Sequence, residues 1–356
     1  MRSSLRSGTR LACFIIVVGA PYVVILLRAE QILLGRVFGN AMAVLLFDQP
    51  DRAPGSLHRA QEQITHASLT DQAEVCDGAP HFSAHPFILL SNQHSGSTWV
   101  NERLGTRDKI EARGELLGSW HKSLRGRHVS WPEFREQLEH SFEFGAALPA
   151  THAFGFKLQY NQVPAHLLAP FVAWLGCVQV SVVQLVRTAS LEVYLSYVSH
   201  AVEKVVNGNN DRLRPGSEEL AQRQASIANA SRPLTLSASA AAVYVHAVEQ
   251  EVAAFEFAFR YQHRVPHLQV FYEPLRAPPT RHRAWAALLG FLLPDAVTGS
   301  MHDTIIKKHS SGCACRVANW PEVSAALKRM NATTLAACAS LDRDPDCSSD
   351  SMVYLG

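Results

Sequence analysis

The chain has 356 residues, enough for one large α/β domain or two ordinary ones whose core needs no metal or disulfide staples. A hydrophobic fraction of 47% with 18% charged residues excludes a disordered acidic or basic chain. With 33 basic against 31 acidic side chains the net charge is +2, so no nucleic-acid partner is expected and any anion site must be local. The 17 histidines are scattered without a metal spacing, and no metal is expected. Seven cysteines are too few for a disulfide scaffold of this size.

Residues 11–27, LACFIIVVGAPYVVILL, carry no charge, follow Arg2, Arg6 and Arg10, and end at Arg28. Such a run predicts a short membrane span, and Pro21 is tolerated in lipid. The rival reading is a cleaved signal peptide, although Arg28-Ala29-Glu30 is a poor cleavage site. Basic residues ahead of the span predict a single-pass type II arrangement, with the chain from about residue 30 in the lumen of the secretory pathway. Two sequons, Asn229-Ala230-Ser231 and Asn331-Ala332-Thr333, agree with a lumenal glycoprotein, and a Golgi membrane is the expected address. Cys338 and Cys347 bracket a short segment and could close a loop there, whereas Cys177, in an apolar stretch, reads as a small buried thiol. The resulting division is a cytosolic tail (1–10), an anchor (11–27), a stem (28–80), a catalytic domain (81–335) and a C-terminal tail (336–356).

Within the domain, Pro86–Leu90 is a continuous apolar run, as expected of a parallel strand buried on both faces. It ends in a polar turn, Ser91 to Thr98, after which Trp99–Leu104 resumes with helical spacing. Phe154–Tyr160 and the valine-rich Val178–Val186 are further strands, and a helix over 190–206 follows. Residues 207–235 read as a surface insertion, 236–261 as a long alanine-rich helix, His267–Glu273 as a strand, and Pro321–Arg329 as a terminal helix. Strands alternating with helices predict a three-layer α/β/α fold around a parallel sheet.

The segment from Phe87 to Leu104 is a strand, a Ser/Gly turn and a helix, an arrangement that makes an anion cradle from backbone N–H groups and an open helix N-terminus. Gly96 permits close approach, and Ser95, Ser97 and Thr98 add hydroxyls. It is not a nucleotide-kinase phosphate loop, since no Lys follows Gly96. His94-Ser95-Gly96-Ser97-Thr98-Trp99 resembles the 5′-phosphosulfate loop of the P-loop sulfotransferases. Val183–Arg187 followed by Ser196 resembles their 3′-phosphate motif, with the spacing of the bacterial and algal or plant-like branch. Gly155–Gln162, Val270–Leu275 and Lys307–Gly312 continuing to Val317–Val323 are similar to that branch as well, so the resemblance spans roughly 85–330 in order.

The resemblance implies sulfuryl transfer from 3′-phosphoadenosine-5′-phosphosulfate (PAPS), a co-substrate charged at both ends, to an acceptor hydroxyl. Ser95, Gly96, Ser97, Thr98 and Trp99 would hold the 5′ end, and Arg187 and Ser196 the 3′-phosphate. Lys307, Lys308 and Arg316 would come from a C-terminal loop that closes over the nucleotide. Glu115, in Arg113-Gly114-Glu115, matches the glutamate proposed as general base in that branch, with His121 and His128 as the nearest substitutes. The family commonly has Lys or Arg where this chain has His94, so His94 would donate to the leaving group with only part of a charge, and Lys157 could supply the missing cation. The lumenal address points to a carbohydrate acceptor, selected by loops at 118–150 and 207–235. A non-catalytic lumenal protein that binds a nucleotide or glycan on the same fold is the alternative.

Overall fold

A computed structural model describes residues 75–123, 127–146, 152–207, 234–261, 265–293 and 316–332, with Thr334, Cys338 and the backbone of two short N-terminal strands. Those strands, β1 (Phe14–Val17) and β2 (Val23–Leu26), pair antiparallel, with Phe14 opposite Leu26. Both strands fall within the run 11–27 read from the sequence as a membrane span. Both strand segments are rich in β-branched Val and Ile, which favours strands. The rest of that run, residues 28–74 and the sequon at Asn229 lie outside the described residues. No helix among the described residues is long and apolar enough to cross a membrane.

The sheet contains β3 (His85–Ser91), β4 (Ile110–Arg113), β5 (Ala153–Gln159), β6 (Ser181–Val186) and β7 (His267–Phe271), all parallel, in the order β4-β5-β3-β6-β7. Helices α1 (Ser97–Gly105), α2 (Gly118–Ser123), α3 (Trp131–Ala146), α4 (Leu168–Cys177), α5 (Ser190–Asn207), α6 (Ala238–Tyr261), α7 (Tyr272–Arg276), α8 (Pro278–Leu292) and α9 (Trp320–Arg329) connect and follow the strands. β3 is central and buried along six of its seven residues, which is why its sequence is continuously apolar rather than alternating.

Side chains of successive strand residues point to opposite faces, and the core divides accordingly. Ile88, Leu90, Phe156 and Leu158 pack with α3, α4 and α6, whereas Phe87, Leu89, Val183 and Leu185 pack with α1 and α8. The result is the three-layer α/β/α architecture. A third cluster joins α5, the first half of α6 and α9 beside the sheet. Gly155 lets β5 approach its neighbour: a Cβ there would lie 2.2 Å from the Phe87 carbonyl oxygen.

Several boundaries shift. β6 starts at Ser181, because Gln179 turns the chain through a positive φ of 56° after α4. The proposed loop 118–150 contains α2 and the 16-residue α3, whose Phe134, Leu138 and Phe142 are core. The packed unit begins before His81, since Val75 and Ala79 pack on the core and Cys76 is disulfide-bonded to Cys177. Cys177 is therefore half of a cross-link and not a buried thiol. At the other end the unit extends past residue 335: Cys338 is buried and disulfide-bonded, and Thr334 accepts a hydrogen bond from the Leu191 N–H at 2.9 Å.

The Cys76–Cys177 bond closes a loop with a sequence separation of 101, so its entropic effect on the unfolded chain is large. Replacing both cysteines with serine is expected to lower stability by about 2–4 kcal/mol, measured by urea unfolding. Burial lowers the pKa of His85, which meets the Ser181 hydroxyl at 2.8 Å, and of His267, which meets Gln184 Oε1 at 2.9 Å. Both shifts favour the neutral ring in the folded chain, so below about pH 6.5 the unfolded chain takes up protons more readily than the folded chain. Stability should fall as pH drops through that value, and the fall should be smaller in His85→Gln; unfolding curves between pH 7.5 and 5 measure both.

Candidate active site

Every site residue that the structure describes lies at or just beyond the C-terminal edge of the sheet, or reaches it from a helix. From β3 the chain departs toward β4, and from β6 it departs the other way, toward β7. The connections leaving these adjacent strands diverge, which opens the crevice where ligands bind in open α/β sheets. The loop Asn92–Gly96 fills the β3 side of that crevice and α1 starts at Ser97.

The loop is fixed from within and from both sides. Ser95 Oγ donates to the Asn92 carbonyl at 2.7 Å, and Asn92 Nδ2 donates to the buried Glu251 of α6 at 2.9 Å. The Ser95 hydroxyl thus closes the turn in this structure. His94 and Gly96 have positive φ, 60° and 92°. Gly96 caps α1 with no side-chain hydrogen bond, so no capping side chain occupies the first N–H groups of the helix. A Cβ on residue 96 would stand 2.2 Å from Cε2 of Tyr272, the first residue after β7. Glycine is required twice over, by conformation and by contact.

On the β5 side, Lys157 Nζ lies 2.7 Å from Glu115 Oε1 and donates to Thr98 Oγ1 at 3.2 Å. Lys157 is only 7% exposed, while the Glu115 side chain is about one-third exposed. Gln159 Nε2 donates to the same carboxylate at 2.6 Å, and Gln93 Nε2 donates to Gln159 Oε1 at 2.7 Å. Glu115 therefore reaches the loop through one ammonium group and, separately, through two amides. The nearest substitutes for it, His121 and His128, lie on α2 and in the segment before α3, where His128 stacks on His166 at 4.4 Å.

On the β6 side, Arg187 Nη1 donates to the His94 carbonyl at 3.2 Å, and Ser196 Oγ lies 3.5 Å from His94 Nδ1. Arg187 and Ser196 thus converge on the loop, with Ser196 inside α5. The Arg187 guanidinium also packs 5.2 Å over the ring of Tyr272 and pairs at 3.0 Å with Glu192. Glu273 accepts from the N–H groups of Thr188 and Ala189, both at 3.2 Å, which fixes the turn after β6.

Two expected ligands differ in the structure. Arg316 is 8% exposed and its Nη1 donates to Glu192 Oε2, so it supports Arg187 from behind instead of lying open to a phosphate. Burial is the largest cause lowering its pKa, with Arg187 adding to it and Glu192 opposing. Trp99 packs among Tyr272, Trp285, Arg103 and Arg276, an aromatic and guanidinium cluster. Lys307 and Lys308 lie outside the described residues. Sequence reasoning passed over Glu192, Gln159 and Tyr272. Only Tyr272 gave a signal, an aromatic residue at the end of a strand next to an acidic one.

No protein-family model matches the chain, and no curated protein matches it. Among solved structures it is similar to the crystal structure of a sulfotransferase from Alicyclobacillus acidocaldarius, with 11% identity and a TM-score of 0.36, over 73% of this chain and 99% of that one.

Gly96→Ala forces a left-handed alanine against a ring and is expected to cost about 1–3 kcal/mol of stability. Adding Tyr272→Leu should recover part of that loss, so the double variant unfolds at a higher urea concentration than the sum of the single effects predicts.

Proposed function

We propose that this protein is a PAPS-dependent sulfotransferase that moves a sulfuryl group to an acceptor hydroxyl, with Glu115 as general base. The observation that carries the reading is the placement of Lys157 between the Glu115 carboxylate, 2.7 Å away, and Thr98 at the start of α1, 3.2 Å away. A base, a buried cation and an open helix N-terminus meet at one point on the sheet edge. The convergence of Arg187 and Ser196 on the loop that ends at Gly96 supports reading these as the two anion sites such a donor requires.

The donor supplies an activated sulfuryl group, and the chain supplies position and charge. Backbone N–H groups at residues 97–99 and the Thr98 hydroxyl bind the 5′ end. Arg187 and Ser196 bind the 3′-phosphate. Glu115 takes the proton of the acceptor hydroxyl as the new oxygen–sulfur bond forms, and Gln159 holds its carboxylate in line. Lys157 steadies the charge that builds on the leaving oxygen, the duty expected of a Lys or Arg at position 94. His94 adds a hydrogen bond and no fixed charge.

A carbohydrate hydroxyl is the proposed acceptor and an oxidising compartment of the secretory pathway the proposed location. The Cys76–Cys177 bond and the disulfide at Cys338 support that location. The second reading, a nucleotide- or glycan-binding protein without catalysis, draws on His94, whose carbonyl and ring are both engaged by Arg187 and Ser196.

Adenosine 3′,5′-bisphosphate should raise the melting temperature of the wild-type protein; no shift would remove both the enzyme and the nucleotide-binding reading. Glu115→Gln is expected to reduce labelled-sulfate transfer to a glycan panel by about 100-fold or more while the bisphosphate Kd stays within about twofold. Full transfer by that variant would displace Glu115 as the base. Stabilisation by the bisphosphate without transfer to any glycan, tyrosine peptide or alcohol would favour the second reading.

A further inference from the structure

The field that Arg187 presents to an anion depends on the carboxylate paired with it and on that carboxylate's second partner. Glu192, 3% exposed in the first turn of α5, receives Arg187 Nη2 and Arg316 Nη1 on the same oxygen, Oε2. A carboxylate paired with Arg187 alone would cancel its charge at short range, and an anion approaching Arg187 would meet a neutral pair. With Arg316 on the same oxygen, the three groups carry two positive charges and one negative, a surplus of one.

The hydrogen bonds divide the Arg187 fork in the same way. A guanidinium offers five N–H donors. Arg187 uses one from Nη1 on the His94 carbonyl and one from Nη2 on Glu192. Both acceptors belong to the protein, and two bonds from a group with five donors leave further N–H groups for a phosphate.

The backbone of Arg316 is positioned for this. Its carbonyl accepts from the Leu234 N–H at 2.8 Å, and Leu234 in turn accepts from Ala318 at 2.9 Å, in an isolated parallel bridge beside α6. Asn319 then holds both backbone groups of Leu236. The Arg316 carbonyl is thus anchored to Leu234, and the residues just after it are fastened to Leu234 and Leu236 of the same segment.

We infer that Arg316 is a positioning residue that acts through Glu192, offsetting its charge so that Arg187 keeps a surplus cation for a phosphate monoester, and that it does not itself touch that phosphate. This rests on the reading of Arg187 as part of a nucleotide site and replaces the expectation that Arg316 is a direct ligand.

The test is the preference for a 3′-phosphate, measured by calorimetry on the full chain as the Kd of adenosine 5′-phosphate divided by the Kd of adenosine 3′,5′-bisphosphate. Arg316→Met leaves Glu192 to neutralise Arg187 and should lower that ratio by about tenfold, with the 5′-phosphate Kd changed by less than about twofold. Adding Glu192→Gln restores a surplus of one and should return the ratio to within about threefold of wild type. A direct ligand could not be rescued in this way, and neither could a general loss of structure.

A double variant that stays as weak as Arg316→Met, or a single variant that keeps the wild-type ratio, would overturn the inference. Should Arg316→Met fail to fold because Glu192 and Arg187 lose their partner, the double variant alone decides: a wild-type ratio supports the inference and a collapsed one refutes it. A wild-type protein that shows no preference for the 3′-phosphate would instead refute the nucleotide-site reading itself, an outcome visible before any variant is made.

Discussion

The ring of Tyr272 stands where a side chain on residue 96 would have to be, and three strand ends are held together by that contact. Tyr272 begins α7 directly after β7, its edge meets Trp99 on α1 at 5.8 Å, and its face receives the guanidinium of Arg187 from the end of β6. Its hydroxyl accepts from Arg276 Nη1 at 3.1 Å, which fixes the ring at the outer end too. Packing a cation on a half-buried aromatic face contributes about 0.5–2 kcal/mol, a modest term, but here it also sets direction. With the ring in place, residue 96 must be glycine, the chain must turn through positive φ, and α1 starts with no side chain capping its first N–H groups. Those groups are what the proposed function uses to hold the anionic 5′ end of the donor.

Charge is distributed around that cradle by one rule on both sides. A site for a multiply charged anion needs cations close by, yet a buried cation without a partner is costly. The chain meets both demands by pairing each buried cation with a carboxylate that has a second neighbour. Lys157 pairs with Glu115, and Glu115 is also bonded by Gln159. Arg187 pairs with Glu192, and Glu192 is also bonded by Arg316. Glu192 is shared between two cations, whereas Glu115 has one cation and one amide donor. The two clusters sit on opposite flanks of β3, one reached from β5 and the other from β6, and the loop Asn92–Gly96 lies between them.

What the sequence revealed and what it concealed follow from the range of each interaction. β3, β5 and β6 were legible because a strand buried on both faces must be apolar throughout, and α6 because alanine-rich periodicity persists over its 24 residues. The Gly96 turn was legible as strand, small polar residues and helix. β4 was not, since it is a four-residue edge strand that carries Glu111 and Arg113 and looks like loop. Helix α3 was hidden by the charged residues on its outer face, which made 118–150 read as a specificity loop. The Cys76–Cys177 bond joins residues far apart in sequence, and no local pattern announces such a pairing. Glu192 was passed over for a related reason: a glutamate in the first turn of a helix is ordinarily a solvated dipole partner, and only tertiary contact turns it into the hub of a buried cluster.

His94 is where these constraints meet. Its backbone is left-handed, at a cost of about 1–3 kcal/mol for a residue other than glycine, and its carbonyl is thereby bonded to Arg187. Its ring lies edge-on to Tyr197 at 5.6 Å with Nδ1 toward Ser196, so it fills a slot between the loop and α5. A flexible ammonium at that position would give up the ring contact and the orientation it imposes. Lys157 starts instead from β5, a strand buried along its whole length, where the stem of the side chain is packed and the ammonium is directed at Thr98. A cation carried by the sheet is held more rigidly than one carried by the turn, and for charge stabilisation at a reacting centre, rigid placement matters more than the identity of the loop residue. Under the proposed function, Lys157 would supply from the strand the fixed positive charge that His94 does not carry.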